Sequence, residues 1–343
     1  MAELMAETVR GTVVKAQTNL YEVRVGDEIL LCALRGRLRR DAGEVLTGDQ
    51  VEVRRVPGGA VIEQVLPRRN RLLRPPIANV DRVLVVQSLA DPDPVPILLD
   101  RVLIQAEALG LPVVLCFNKV DRVVGSSGAG GDQGAPAAGS DAGEPGPAGG
   151  SATPAPAASA APHPPERLGG WPGRLVDGYR QVGYPVHLVS ARYGWGLEPL
   201  KEVLRQGVTV LAGPSGAGKS TLLNAIQPGL RLQTGEVSRK LGRGRHTTRY
   251  VQLLSLDGGG WVADTPGFSR LDLPEVEPEA LGDLWPEIRR HAADCRFRGC
   301  LHRSEPGCAV RAARDAGDIP AWRYQNYLVL LGELEQRLAE RYR

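Results

Sequence analysis

The sequence predicts a multidomain protein: a small β-barrel of the OB-fold type, an α/β domain built around a phosphate-binding loop, and a C-terminal α-helical segment organised by a metal. Three observations carry this. Residues 8–66 hold several short strand signals and no helical period. From about Leu72, apolar strands alternate with helical runs, and one strand leads into the run GPSGAGKS at residues 213–220. Near the C-terminus Cys295, Cys300, His302 and Cys308 fall within fourteen residues.

The barrel strands are expected at residues 9–14, 21–25, 29–34, 51–56 and 60–66, with turn residues between them. Five strands of this length suit a small OB barrel. Net charge is only +3, but residues 35–74 carry ten arginines against five acids, a local net of +5. That asymmetry points to an anionic partner. Arg35, Arg37, Arg39 and Arg40 cluster in one loop-like stretch and are the candidate contacts to that partner. Tyr21 is the one aromatic residue among these strands, so a structured phosphate surface suits the barrel better than stacked single-stranded bases.

In the α/β region, the apolar run 208–212 precedes the phosphate-loop pattern and the helical run 221–226 follows it. This strand–loop–helix setting is what the motif requires. Gly213, Pro214, Ser215, Gly216, Ala217, Gly218, Lys219, Ser220 and Thr221 would surround the phosphates. Glycines let backbone N–H groups face the oxygens, and the helix start adds partial positive charge. Lys219 would reach the outer phosphates and Ser220 would bind Mg²⁺.

Base recognition is expected from two further strand ends. The run 111–117 ends in Asn118, Lys119, Val120 and Asp121. An aspartate there accepts from guanine's ring N–H and exocyclic amine together, a pair that adenine does not offer, which argues against an ATP enzyme. Ser190 and Ala191 follow the run 185–189 and fit a loop whose backbone contacts the base oxygen. The run 261–263 ends in Asp264-Thr265-Pro266-Gly267; Asp264 would hold the Mg²⁺ shell and the Gly267 amide would face the γ-phosphate. Many GTPases carry a water-positioning Gln just after that glycine. Phe268 stands here instead, so His246 in GRHTT becomes the catalytic candidate. Thr247 or Thr248 is expected on Mg²⁺, and Arg243, Arg245 and Arg249 on phosphate charge or on RNA.

These are GTPase motifs in permuted order: base loops first, then the phosphate loop, then the switch segments. Parallel βα units tolerate such rearrangement. The segment 125–166 is almost wholly Gly, Ala, Pro and Ser and lacks apolar periodicity. It cannot bury enough surface to offset its ordering entropy, and is expected to be a disordered insert.

At the C-terminus, 281–290 reads as one short amphipathic helix. Residues 322–342 read as a longer one, with Leu328, Leu331, Leu334 and Leu338 on its apolar face. Three thiolates and an imidazole at Cys295, Cys300, His302 and Cys308 suit one tetrahedral, structural Zn²⁺. His291 fits a helix surface instead. The five cysteines, odd in number and partly clustered with a histidine, argue for metal and against disulfides; Cys32 and Cys116 are expected as core thiols. No run approaches the ~18 apolar residues of a membrane span. Glu3 and Glu7 precede any apolar stretch, unlike a signal peptide. A cytoplasmic protein without membrane contact is expected.

The permuted order, together with Ala78–Asp81 (ANVD), NKVD, GPSGAGKS, GRGRHTTR at 242–249, DTPGF at 264–268 and CRFRGCLHRSEPGC at 295–308, resembles the bacterial ribosome small-subunit-dependent GTPase A family. Arg249 departs from the pattern where a third Thr is expected. The resemblance covers nearly the whole chain except the insert. It implies an OB-fold domain over 1–71 with RNA contact, a circularly permuted P-loop GTPase domain over 72–274, and a zinc-binding helical domain over 275–343. It also implies His246 as the catalytic group, GTP and GDP as ligands, and small-subunit rRNA as partner of a monomer. A nucleic-acid-binding zinc protein with a merely structural nucleotide site is the rival reading.

Overall fold

The computed structural model describes residues 8–17, 20–36, 44–73, 76–124, 167–230, 251–264 and 273–341. Strands β1 (Thr8–Ala16), β2 (Tyr21–Val25), β3 (Glu28–Leu34), β4 (Gln50–Val56) and β5 (Gly59–Val65) close in the order β1-β2-β3-β5-β4. All neighbours are antiparallel except β3 and β5. Val13, Val23, Cys32, Val51, Val53 and Ile62 fill the interior, as the period-two alternation requires. Burial pushes the Cys32 thiol up to about 11, consistent with a core thiol.

The barrel's charge asymmetry is partly internal. Arg54 pairs with Glu63, Arg55 with Glu28, Arg68 with the fully buried Asp49, and Arg69 with Asp81. These four arginines are matched within the fold, so fewer of the ten in residues 35–74 are left to face an anion. Arg35 is exposed and lies 3.6 Å from Glu63. Arg37, Arg39 and Arg40 lie outside the described residues.

A hairpin of β6 (Arg71–Leu73) and β7 (Pro76–Ala78) leads out of the barrel. Asn79 then donates to the Gly48 carbonyl at 2.9 Å and accepts from the Arg69 amide at 2.9 Å. Asp81 accepts from the Arg69 guanidinium and from the Val208 amide, both at 2.6 Å. Burial alone would raise the Asp81 carboxyl; Arg69 and the Val208 amide hold it below the usual range. The ANVD segment is thus a strap between the barrel and the start of the phosphate-loop strand.

The α/β domain runs β8 (Arg82–Ser88), α1 (Pro96–Ala108), β9 (Val113–Asn118), α2 (Asp121–Val124), α3 (Gly170–Gln181), β10 (Val186–Leu188), α4 (Leu197–Leu204), β11 (Val208–Ala212), α5 (Lys219–Ile226), β12 (Leu253–Ser255) and β13 (Trp261–Asp264). The sheet order is β10-β9-β8-β11-β13-β12, parallel except for β12. The central strands are apolar on both faces because helices cover both. Val83, Val85, Leu115 and Phe117 face α1 and α3. Leu84, Val86, Cys116 and Leu211 face α4 and α5. The 125–166 insert lies outside the described residues.

The C-terminal region departs from one expectation. In place of a single helix over 281–290 there are α6 (Pro278–Leu281), a 3₁₀ turn (Gly282–Leu284) and α7 (Pro286–Ala292). Pro286 has no N–H to continue a helix and pushes Trp285 to extended backbone (φ −115°, ψ 106°). Then come α8 (Ala309–Ala316) and α9 (Ala321–Arg341). Leu331 and Leu334 of α9 are fully buried with Tyr324, Tyr327 and Leu330, and Leu328 and Leu338 pack at the margin. Ile104 of α1 joins this cluster, so the region packs directly on the α/β domain. Arg323 seals the junction: it is buried against Asp100 of α1 and Glu287 of α7, and stacks over Trp285 and Tyr179. Among the described residues, no helix is long and apolar enough to cross a membrane.

Candidate nucleotide site and metal centre

The carboxyl ends of β8, β9, β11 and β13 share one edge of the sheet, where ligands bind in open parallel α/β folds. The loop after β11 turns there at Gly213 (φ +126°), where a Cβ would lie 2.0 Å from the Val86 carbonyl oxygen. Only glycine lets the loop lie this close to β8. Lys219 Nζ lies inside the loop and donates to the carbonyls of Gly213 at 2.8 Å and Pro214 at 2.9 Å. Ser220 and Thr221 are exposed in the first turn of α5. The N–H groups of this turn have no intrahelical partners, and the helix dipole is positive here.

Asn118, at the end of β9, is buried. Its Nδ2 donates to the Ala217 carbonyl at 3.1 Å, and its Oδ1 accepts from the amides of Lys119 at 2.8 Å and Ala191 at 3.1 Å. Asp121 accepts from the Ser190 hydroxyl at 2.5 Å. The Lys119 ammonium donates to the Asp91 carbonyl, and Arg122 pairs with the Asp91 carboxylate. The fold therefore brings together the three sequence-predicted segments around Asn118, Ser190 and Gly213. Asp264 ends β13 beside Leu211, in parallel register with the phosphate-loop strand. His246, Thr247, Thr248 and Gly267 lie outside the described residues. Sequence reasoning missed Asp91, which lies in the loop after β8 and carries no motif of its own.

The candidate metal centre is compact: one ligand atom from each of Cys295, Cys300, His302 and Cys308 falls within 4.8 Å of the others. Sγ of Cys295 and of Cys308 lie 3.6 and 3.5 Å from His302 Nδ1 and 4.0 Å from each other. Tetrahedral Zn²⁺ with ordinary Zn–S and Zn–N bonds requires S···S near 3.8 Å and S···N near 3.5 Å, as rough geometry. The set can hold one metal ion, and Nδ1 would be the imidazole ligand. Burial and the neighbouring thiols push Cys300 up to about 12, and a bound cation would offset this by favouring its thiolate. Glu305 shapes the ligand loop by accepting from the amides of Leu301, Arg303 and Ser304 at 2.8, 2.8 and 3.0 Å. The Tyr324 hydroxyl donates to the His302 carbonyl at 2.6 Å. His291 is half-buried on α7 and does not belong to the set.

A parallel α/β sheet that sets a phosphate loop beside guanine-type base loops, with the base loops earlier in the chain, defines a circularly permuted P-loop GTPase. The profile of the RsgA GTPase family matches residues 65–130 and 173–274, and that of the RsgA N-terminal domain matches residues 10–60. The chain belongs to this family. It is 42% identical to the small ribosomal subunit biogenesis GTPase RsgA of Carboxydothermus hydrogenoformans, over 95% of this chain and 98% of that protein. The crystal structure of YjeQ from Thermotoga maritima matches with TM-score 0.72 and 33% identity, covering 96% of this chain and 99% of the other. YloQ, described as a circularly permuted GTPase, matches with TM-score 0.71 and 29% identity, covering 98% of each chain.

Proposed function

We propose that this chain hydrolyses GTP to GDP and phosphate in the late maturation of the small ribosomal subunit. The observation that carries the GTP reading is Asn118, whose one amide spans the base loops and the phosphate loop. Full-length likeness to a small ribosomal subunit biogenesis GTPase supports the ribosomal role.

Asp121 would accept from the guanine ring N–H and amine, with Lys119 over the base and the Ser190–Ala191 turn at its oxygen. The backbone N–H groups of residues 215–221, beyond Pro214, which has none, would hold the phosphates. Mg²⁺ bound with GTP would neutralise phosphate charge. Ser220, Asp264 and Thr247 or Thr248 are its proposed ligands. His246 would orient the water that attacks the γ-phosphorus as the bond to the β-phosphate oxygen breaks, since Phe268 has no polar group for that task. The zinc module would be structural. The 35–40 arginines would meet rRNA, with the small subunit stimulating turnover of a monomeric, cytoplasmic enzyme.

Phosphate release from GTP, compared with ATP and measured with and without purified small subunits, tests this. Selective GTP turnover that rises with subunits is expected. Equal use of ATP, or turnover indifferent to subunits, would overturn the respective half of the reading.

A further inference from the structure

Of the five tryptophans, Trp171, Trp261, Trp285 and Trp322 pack into apolar clusters of the core. Trp195 belongs to none of the clusters among the described residues, and neither does Tyr193. The two rings instead stack on each other, with centroids 5.5 Å apart and planes 28° apart. The Arg192 guanidinium sits 5.4 Å from the Tyr193 ring centre. Tyr193 is 41% exposed, Arg192 is exposed, and Arg192 has no carboxylate partner among the described residues. An arginine and two stacked aromatic rings therefore stand outside the core on one tight turn.

That turn is fastened to the base loops. The Trp195 carbonyl accepts from the Ser190 amide at 3.1 Å. The Tyr193 amide donates to Ser190 Oγ at 3.3 Å, and that hydroxyl donates to Asp121 at 2.5 Å. The Ala191 amide, inside the same turn, reaches Asn118. These bonds fix the backbone of the turn that carries the two rings, which lowers the ordering cost of stacking a base on it.

We propose that the turn 192–195 is a stacking platform for an unpaired ribosomal RNA base, with Arg192 taking the adjoining phosphate. The chemistry selects this occupant. The partly exposed Tyr193 ring can stack with any nucleobase, and the exposed Arg192 guanidinium, now resting against that ring with no carboxylate partner among the described residues, can turn to the backbone charge. The barrel lacks such a platform, having Tyr21 buried as its one strand aromatic. Occupancy of the platform restrains Ser190 and so the Asp121 carboxylate. RNA binding and guanine-nucleotide binding are then coupled, and the coupling is reciprocal.

The proposal rests on the small-subunit reading above, and its test keeps the two apart. Tyr193→Ala, Tyr193→Phe and the wild type are compared by pelleting with purified small subunits and by fluorescent GDP titration without subunits. Tyr193→Ala should weaken subunit binding roughly tenfold, as for a lost base stack, and Tyr193→Phe should stay near wild type. All three should bind GDP alike when free. After ultraviolet irradiation of the wild-type complex, the peptide spanning 192–195 should carry a nucleotide. Unchanged pelleting of Tyr193→Ala, a matching loss of GDP affinity in the free variant, or crosslinking of that peptide to ribosomal protein would overturn the proposal. A wild-type protein that fails to pellet with subunits would overturn the functional reading, and this proposal with it.

Discussion

Asn118 Nδ2 donates across 3.1 Å to the carbonyl of Ala217, which joins the end of one strand to the loop after another, 99 residues later in the chain. The base loop and the phosphate loop thereby share one buried amide. Gly218 sits against it in left-handed backbone, and a Cβ there would come within 2.5 Å of Nδ2.

Asn118→Asp keeps the size of the side chain and replaces the donor by a carboxylate oxygen facing the Ala217 carbonyl. Lost buried hydrogen bonds cost about 1–3 kcal/mol. Affinity for GDP and GTP should fall by roughly five- to a hundredfold with the fold retained. Nucleotide titration beside a far-ultraviolet dichroism spectrum checks this; unaltered affinity would remove the strut from the argument.

Asp121→Asn turns an acceptor into a donor opposite the guanine ring N–H. The variant should reject guanine nucleotides and gain affinity for xanthine nucleotides. Competition between GDP and XDP measures it. A variant that keeps full preference for GDP would reassign the loop.

His246→Ala should lower subunit-stimulated kcat by about 10²- to 10⁴-fold, the range for a group that positions or deprotonates the attacking water. Nucleotide Kd should barely move, because such a group acts on the water and not on the bound ground state. An unaltered kcat would take His246 out of the mechanism.

Much of this was legible in the sequence because backbone motifs are local. Gly213 and Gly218 announce a loop that only glycine can follow, and the strand periods at 208–212 and 111–117 mark where it hangs. The barrel strands were legible because inward valines alternate with polar residues. Distant partners were not legible. Nothing near Arg69 in sequence names Asp81 as its partner, so a matched arginine counted as free charge. Nothing near Asp91 predicts that Lys119 and Arg122 converge on it. The break at Pro286 was missed because the apolar spacing on either side of it still fits one helix.

Arg323→Met should destabilise the junction between the α/β domain and the C-terminal helices. It leaves Asp100 and Glu287 buried without their cation, and breaking a buried pair costs about 3–5 kcal/mol. Burial already raises the Asp100 carboxyl, with Arg323 as the main opposing influence. A clear drop in Tm is expected; a melt within a degree of wild type would mean the knot contributes little.

Cys300→Ser should release the metal and damage the C-terminal region before the nucleotide site. The ligand loop has few apolar side chains of its own and depends on its four ligands and on Glu305 for shape. Its helices pack on the α1 face of the sheet through Ile104 and Asp100. The phosphate-loop helix α5 packs on the opposite face, through Leu222 and Leu223. Loosening the metal module therefore leaves the cluster beneath the phosphate loop intact. The wild type should carry one zinc per chain and the variant none, with a lowered Tm. GDP affinity should persist, and binding and stimulation by small subunits should fall. Metal analysis, a melt, a GDP titration and subunit pelleting on the same preparation decide it. Zinc-free wild-type protein would overturn the metal assignment, and loss of GDP affinity in step with zinc would overturn the separation of the two faces.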